Sequence, residues 1–185
     1  MAVTDHNTIE GALAVEALAP FRVIVGEEVR SSQGEVTGLF LTREIPSALS
    51  AVETAIRIKE QGGLVSIPHP FDRFRGSVID RQALEEIVPY IDIVEVFNSR
   101  NVLSRDNQLA VEFANAHGLL GSAVSDAHTS FELGRTYVEI SDFDGTAKGF
   151  KDSLSGARLV RTRTSPLVHL ITTLTKAKRR LIRPS

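Results

Sequence analysis

Short runs of β-branched and other apolar residues alternate with helical runs along almost the whole chain. This alternation constrains the fold more than any other feature. "AVT" (2–4) leads into residues 8–19, apolar at Ile9, Leu13, Val15 and Leu18 and stopped by Pro20, which predict a helix. "FRVIV" (21–25) and "EVTGLFL" (35–41) predict two strands paired across the turn "SSQG". Pro46 marks a helix start, with Leu49, Val52 and Ile56 at helical spacing and Gly62–Gly63 as the stop. "LVSI" (64–67), "IDIVEVF" (91–97), "LLGSAVS" (119–125), "TYVEI" (136–140) and "RLVRT" (158–162) predict further strands. Helices are predicted over 80–88, over a run capped by Ser104 and ended by Gly118, over 145–154, and over 166–181. Strands separated by helices build βα units and a parallel sheet, so the fold class is α/β.

The strand ends carry the chemistry. Asp5 and His6 follow the first strand, Glu27 and Glu28 follow "FRVIVG", and His69 follows "LVSIP". Asn98 and Arg100 follow "IDIVEVF", and Asp126 and His128 follow "LLGSAVS". In a parallel α/β barrel all these ends open on one rim, where active sites lie. The remaining histidines do not share this placement: His117 ends a helix and His169 lies in the terminal basic segment. A barrel is therefore favoured over a flat doubly wound sheet.

Cysteine is absent, so any metal is held by nitrogen and oxygen. Imidazoles and carboxylates without thiolates suit Mn²⁺, Fe²⁺ or Zn²⁺. A carboxylate such as Glu28 can bridge two ions. Two ions about 3.5–4 Å apart can activate water and stabilise the leaving oxygen of a phosphoester.

Each residue taken alone has a plainer explanation. Asp5 and His6 can form a cap and turn, "PHP" can be a rigid extended segment, and "SDAH" can be an Asp-initiated turn. Asn98 can brace a loop. What these explanations do not account for is the shared position at strand ends.

The 185 residues suffice for one domain with a substantial core. No apolar run approaches the roughly 20 residues of a membrane span, and no signal-peptide pattern opens the chain. A cytoplasmic location is the default, with no membrane partner. Charge is divided unevenly. Residues 1–152 hold all 23 acidic and 13 basic residues, a net −10, whereas residues 153–185 hold 8 basic and no acidic ones. The acidic body suits cation binding. The basic end could meet phosphate or nucleic acid, but it also fits a solvated helix end.

"TDHNT", the strand ending in "GEE", "PHP" and "SDAH", in this order, resemble the PHP (polymerase and histidinol phosphatase) superfamily, in particular its stand-alone metal-dependent phosphoesterases. The resemblance covers essentially the whole chain, read as a single domain over 1–185. It implies a distorted (β/α)7 TIM-like barrel with two or three divalent ions (Mn, Zn or Fe) at the rim, hydrolysing a phosphomonoester or related phosphoester.

Carried over by motif, His6, Glu28, His69, Asp126 and His128 resemble metal ligands. Glu35 stands where many relatives place a ligand histidine. Asp5 resembles a residue that braces the site. Asn98 and Arg100 fall near the substrate, and guanidinium geometry suits Arg100 to a phosphate. The family's opening strand, with its His-x-His pair and following aspartate, has no counterpart in these residues. The resemblance thus implies a barrel lacking its first βα unit, partial metal occupancy, and association between chains as one way to cover the open edge.

Against a metal-dependent hydrolase acting on a small phosphorylated substrate stands a non-catalytic metal-binding or scaffold domain of the same fold. A nucleic-acid-binding module ranks last. The basic end has no aromatic residue for base stacking, so nucleic acid is not expected as a partner.

Overall fold

The computed structural model describes residues 1–163. Its centre is a six-stranded sheet in sequence order, β1 (Ala2–His6), β2 (Ile24–Ser31), β3 (Gly34–Leu39), β4 (Leu64–Ile67), β5 (Ile93–Asn98) and β6 (Leu120–Val124). β1 pairs parallel with β2, and β4, β5 and β6 run parallel to one another. β3 is antiparallel to both β2 and β4. The reason is local: only Ser32 and Gln33 separate β2 from β3, and so short a turn can join only antiparallel strands. The sheet is therefore mixed, and it curls into a half-barrel.

Alternation along each strand sorts side chains onto two faces. Val25, Val29, Val36, Val65, Ile67 and Val94 face outward into the larger core, which contains Ala12, Ala55, Ile58, Leu84, Ile87 and Ala110. Those partners come from α1 (Glu10–Leu18), α2 (Ala51–Lys59), α3 (Arg81–Ile87) and α4 (Ser104–His117), so the helices clothe the convex side. Full burial of each such aliphatic side chain stabilises by about 1.5–3 kcal/mol.

The concave face is layered. At its base Ile24, Leu39, Leu64 and Ile93 pack against Phe150 and Leu154 of α5 (Ala147–Leu154), which closes that end. Phe40 and Phe143 add tilted and edge-on ring contacts to Phe150, with centroids 5.6 and 5.5 Å apart. The opposite end of this face is polar and forms the site described below.

Asp92 ties the base together. Buried just before β5, it accepts hydrogen bonds from the Val65 backbone N–H at 2.9 Å and Lys151 Nζ at 2.7 Å, and it pairs with Lys59. Burial alone would raise its pKa, but the two ammonium groups outweigh it and hold the carboxyl below its usual range.

The helix of residues 46–59 starts later than Pro46 predicts. α2 begins at Ala51, because Ser50 and Glu53 form a reciprocal capping box, the Ser50 hydroxyl accepting from Glu53 N–H at 3.2 Å and Glu53 Oε2 from Ser50 N–H at 3.0 Å. α4 ends as expected at Gly118, whose φ of +64° suits glycine. β2 runs well past residue 25, so Glu27 and Glu28 lie within a strand rather than after one. β7 (Tyr137–Glu139) and β8 (Arg158–Val160) form a separate antiparallel pair. The expectation of a series of parallel βα units thus holds for the main sheet apart from β3. The basic segment 166–181, with His169, lies outside the described residues. Among the described residues, no helix is long and apolar enough to cross a membrane.

Candidate metal centre

Register brings the first three ligand-type residues together. His6 stands opposite Glu28 in the β1–β2 ladder. Glu28 stands opposite Thr37, and Arg30 opposite Glu35, in the β2–β3 ladder. Residues two apart share a face, so His6, Glu28 and Glu35 point to the same side. Because β3 runs backwards, its first residues lie at the same rim as the last residues of its neighbours. His6 Nδ1 is 3.4 Å from Glu28 Oε1 and 3.7 Å from Glu35 Oε1. One ligand atom from each of the three lies within 4.8 Å of the others, a spacing that one cation can span.

His69 enters from β4. Its Nε2 is 3.6 Å from Glu35 Oε2 and 3.8 Å from Glu28 Oε1, too long for hydrogen bonds. The ring is 1% exposed, yet neither nitrogen has a hydrogen-bond partner, and Glu28 Oε1 and Glu35 Oε2 are likewise buried and unpartnered. Buried polar atoms are nearly always satisfied, and leaving one bare costs about 1–3 kcal/mol. An imidazole and two carboxylates turned toward one another with unpaired donor atoms fit a divalent cation of the Mn, Fe or Zn type.

Charge coupling follows the geometry. Burial pushes the Glu28 carboxyl up, but the imidazoles of His69 and His6 outweigh it and bring it below its usual value. Burial and the Glu28 charge raise Glu35. Burial would lower the His69 pKa, yet the Glu28 carboxylate carries it above the ordinary histidine value. The Glu28–Glu35 pair is thus a concentration of negative charge that an added cation would relieve.

The second half of the site comes from β5 and β6. Asp126 sits two residues beyond β6 and accepts from Asn98 Nδ2 at 3.2 Å. Asn98 Nδ2 also donates to Glu95 Oε2 at 3.1 Å, and Glu95 Oε2 accepts the His69 backbone N–H at 2.9 Å. Burial, with the charges of Asp126 and Glu28, pushes Glu95 up to about 7. His128 Nδ1 lies 2.9 Å from the Asp126 carbonyl and 3.5 Å from its Oδ1. His69 and Asp126 both have positive φ, +31° and +49°. Non-glycine residues adopt this left-handed region at a cost, and such strain gathers at functional sites.

Residues 104–158 match the family described as PHP-associated. An uncharacterized protein of Methanocaldococcus jannaschii is 38% identical over 146 residues, 77% of this chain and 58% of that protein. A second uncharacterized protein of the same organism is 41% identical over 102 residues, 54% of this chain and 57% of that protein. The chain therefore spans somewhat over half the length of these curated relatives. Among solved structures, a two-domain protein of Bacteroides vulgatus containing a predicted PHP-like metal-dependent phosphoesterase superposes with a TM-score of 0.63 at 16% identity, over 87% of this chain and 55% of that one.

The fold is PHP-like.

Endonuclease Q in complex with a duplex carrying an abasic lesion also superposes, with a TM-score of 0.50 at 17% identity, over 74% of this chain and 41% of that one. This overturns the expectation that nucleic acid is not a partner for such a chain: a protein of the same fold binds DNA. The expectation rested on the lack of aromatic residues in the basic end, which says nothing of the rest of the chain.

Not every residue singled out in the sequence joins the His6–Glu28–Glu35 cluster. Glu27 points to the opposite face and accepts the Ile45 N–H at 2.8 Å. Asp5, next to His6 on an extended strand, also turns away from the cluster and lies against Gly11 of α1, where a Cβ would collide with its carboxylate. Arg100 is buried, and its Nη1 donates to Glu132 Oε1 at 2.8 Å.

Two arginines stand beside the strand-end carboxylates: Arg30, whose Nη1 is 3.7 Å from Glu35 Oε1, and Arg75. Arg75 donates to Asp126, and its Nε donates to Asp72 Oδ2 at 3.1 Å. Burial would lower the Arg75 pKa, but the Asp126 carboxylate outweighs it and raises it. Arg75 belongs to the "FDRFRG" loop following "PHP", and only its nearness to that motif could have flagged it. Glu95 was hidden inside an apolar strand, where its placement on the concave face depends on register.

Proposed function

We propose that the chain is a divalent-metal-dependent phosphoester hydrolase built on the greater part of a distorted (β/α)7 barrel. The observation that carries this reading is the set of unpartnered, buried donor atoms on His69, Glu28 and Glu35, with His6 3.4 Å from Glu28. His6, Glu28, Glu35 and His69 would hold one ion, and Asp126 and His128 are the candidates for a second. A bound ion supplies Lewis-acid polarisation of a phosphoryl oxygen and a water of lowered pKa.

The chain's own residues do the rest. Arg75 presents a fixed guanidinium beside Asp126, placed to donate to phosphoryl oxygens as charge develops on them. Asn98 and Glu95 form a bracket that holds the Asp126 carboxylate and the His69 backbone at fixed positions. In the reaction a water oxygen bonds to phosphorus while the ester P–O bond breaks, and the alcohol leaves with a proton derived from water.

The test is hydrolysis of a generic aryl phosphate with Mn²⁺ or Zn²⁺ added to chelator-treated protein. Metal-dependent turnover that His69→Ala abolishes supports the reading. Tight metal binding with no turnover of any phosphoester would favour the non-catalytic domain.

A further inference from the structure

Asp126 is a candidate ligand, yet one of its two oxygens is already engaged. Its Oδ2 accepts from Arg75 Nη2 and, at 3.2 Å, from Asn98 Nδ2. Its Oδ1 lies 3.5 Å from His128 Nδ1. Arg75 is shared in turn. Its Nε donates at 3.1 Å to Oδ2 of the buried Asp72. Asp72 also fixes the turn that carries Arg75: its carbonyl accepts from the Arg75 N–H and its Oδ1 from the Phe74 N–H, both at 3.1 Å. The guanidinium is therefore held at Nε from a fixed turn and reaches Asp126 with a terminal nitrogen. Side-chain exposure is 21% for Arg75 and 13% for Asp126, so both charges are largely withdrawn from water but remain open to a ligand.

A pair of this kind is costly to break from one side only. Taking away one partner leaves the other charge withdrawn from water and uncompensated. A divalent cation drawn to Asp126 meets the guanidinium: on Oδ2 it displaces Arg75, and on Oδ1 it stands beside that positive charge. A phosphate that draws Arg75 Nη2 away leaves Asp126 Oδ2 with the Asn98 amide alone. Each ligand by itself thus strands one charge. When both arrive the partners exchange, with the cation on the Asp126 carboxylate and the phosphate oxygens on the Arg75 guanidinium, and no charge is left over. Carboxylate oxygen suits the cation, and the guanidinium fork suits the phosphate. Arg30 stands in no such relation, since its Nη1 faces Glu35.

We infer that Arg75 makes the cation at Asp126 and the substrate phosphate bind cooperatively, by leaving Asp126 for the phosphate as the cation takes the carboxylate. The inference rests on the reading of Asp126 as a ligand in a metal-dependent hydrolase. The ion held by His6, Glu28, Glu35 and His69 lies outside this exchange and binds without phosphate. The coupling is reciprocal: phosphate tightens the second cation by the same factor as the second cation tightens phosphate. The centre is therefore fully loaded only when a phosphorylated substrate is present.

The experiment is calorimetric titration of Mn²⁺ into the chelator-treated full chain, with and without inorganic phosphate. Expected for the wild type are one tight and one weak site, the weak one tightened about tenfold or more by phosphate. Arg75→Ala should bind the second Mn²⁺ more tightly than the wild type when phosphate is absent, and should gain less from phosphate. Arg75→Gln keeps an amide donor without the charge and should behave in the same way, which guards against a fold weakened by the smaller side chain. Arg30→Ala removes a guanidinium that pairs with Glu35 rather than Asp126, and should leave the phosphate effect intact. No phosphate effect on the second ion in the wild type, an undiminished effect in both Arg75 variants, or an effect lost equally in Arg30→Ala would each overturn the inference. Coupled binding with no hydrolysis of any phosphoester would sink the hydrolase reading alone. Metal-dependent hydrolysis with a second-ion affinity indifferent to phosphate would sink this inference alone.

Discussion

The rings of His6 and His128 stand 6.4 Å apart, although His6 ends β1 and His128 follows β6, the two outermost strands of the six-stranded sheet. Adjacent strands are spaced about 4.8 Å, so flat edge strands would be separated by about 24 Å. Curling of the sheet brings its ends toward each other and turns a row of strand ends into a site. The relationships among His6, Glu28, Glu35, His69 and Asp126 lead to the following measurements.

Metal should stabilise the chain, and Glu35 should be the residue through which it does so. At free Mn²⁺ of 100 times its Kd, binding adds about 2.7 kcal/mol, a rise in Tm of roughly 5–10 °C. Glu35→Gln should abolish most of that rise. In chelator it should melt higher than the wild type, because Glu35 is buried against the Glu28 charge. Thermal unfolding with and without Mn²⁺ checks both signs together.

Arg75 and Arg100 should differ in what they do for turnover. Arg75→Ala should lower kcat on an aryl phosphate by about 100-fold. Because it leaves the Asp72 and Asp126 carboxylates without their guanidinium partner, it should also lower stability, and Arg75→Lys should recover part of both. Arg100→Met breaks a buried ion pair with Glu132 and should cost about 3 kcal/mol of stability. Steady-state kinetics and denaturant melts on the same samples check both variants, and a kcat of Arg75→Ala equal to that of the wild type would contradict the role given to Arg75.

Asp92 should govern part of the acid limb of stability. Its folded pKa lies below its unfolded one, so its contribution is full above about pH 4 and is lost as pH falls through the folded value. Asp92→Asn keeps the Val65 N–H bond but loses two charged partners, a loss of about 2 kcal/mol near neutrality. The gap between wild type and variant should narrow steadily below pH 4 in urea titrations. A gap independent of pH would contradict the ion-pair account.

His6, Glu28 and His69 could be found in the sequence because they sit beside short, recognisable motifs. The antiparallel course of β3 was also legible, in the turn between two β-branched runs. Pro46 misled because a proline tolerated at a helix start also suits the loop before one, and the Ser50–Glu53 box decided the matter. Arg100 lies just after a strand, as the sequence places it, but its pairing with Glu132, thirty-two residues on, was not legible there.

The residue types at the ends of strands, and therefore the nitrogen and oxygen chemistry open to this chain, were determined by the sequence itself. Strand and helix are encoded in local periodicity and turn chemistry, which act over a few residues. Only the tertiary structure decided that His6 and His128 meet, that Glu35 reaches the same rim from a reversed strand, and that Arg75 faces Asp126 while Asp5 turns away. Those outcomes depend on ladder register and sheet curl, which arise from pairing between distant segments, and no short stretch of sequence specifies them.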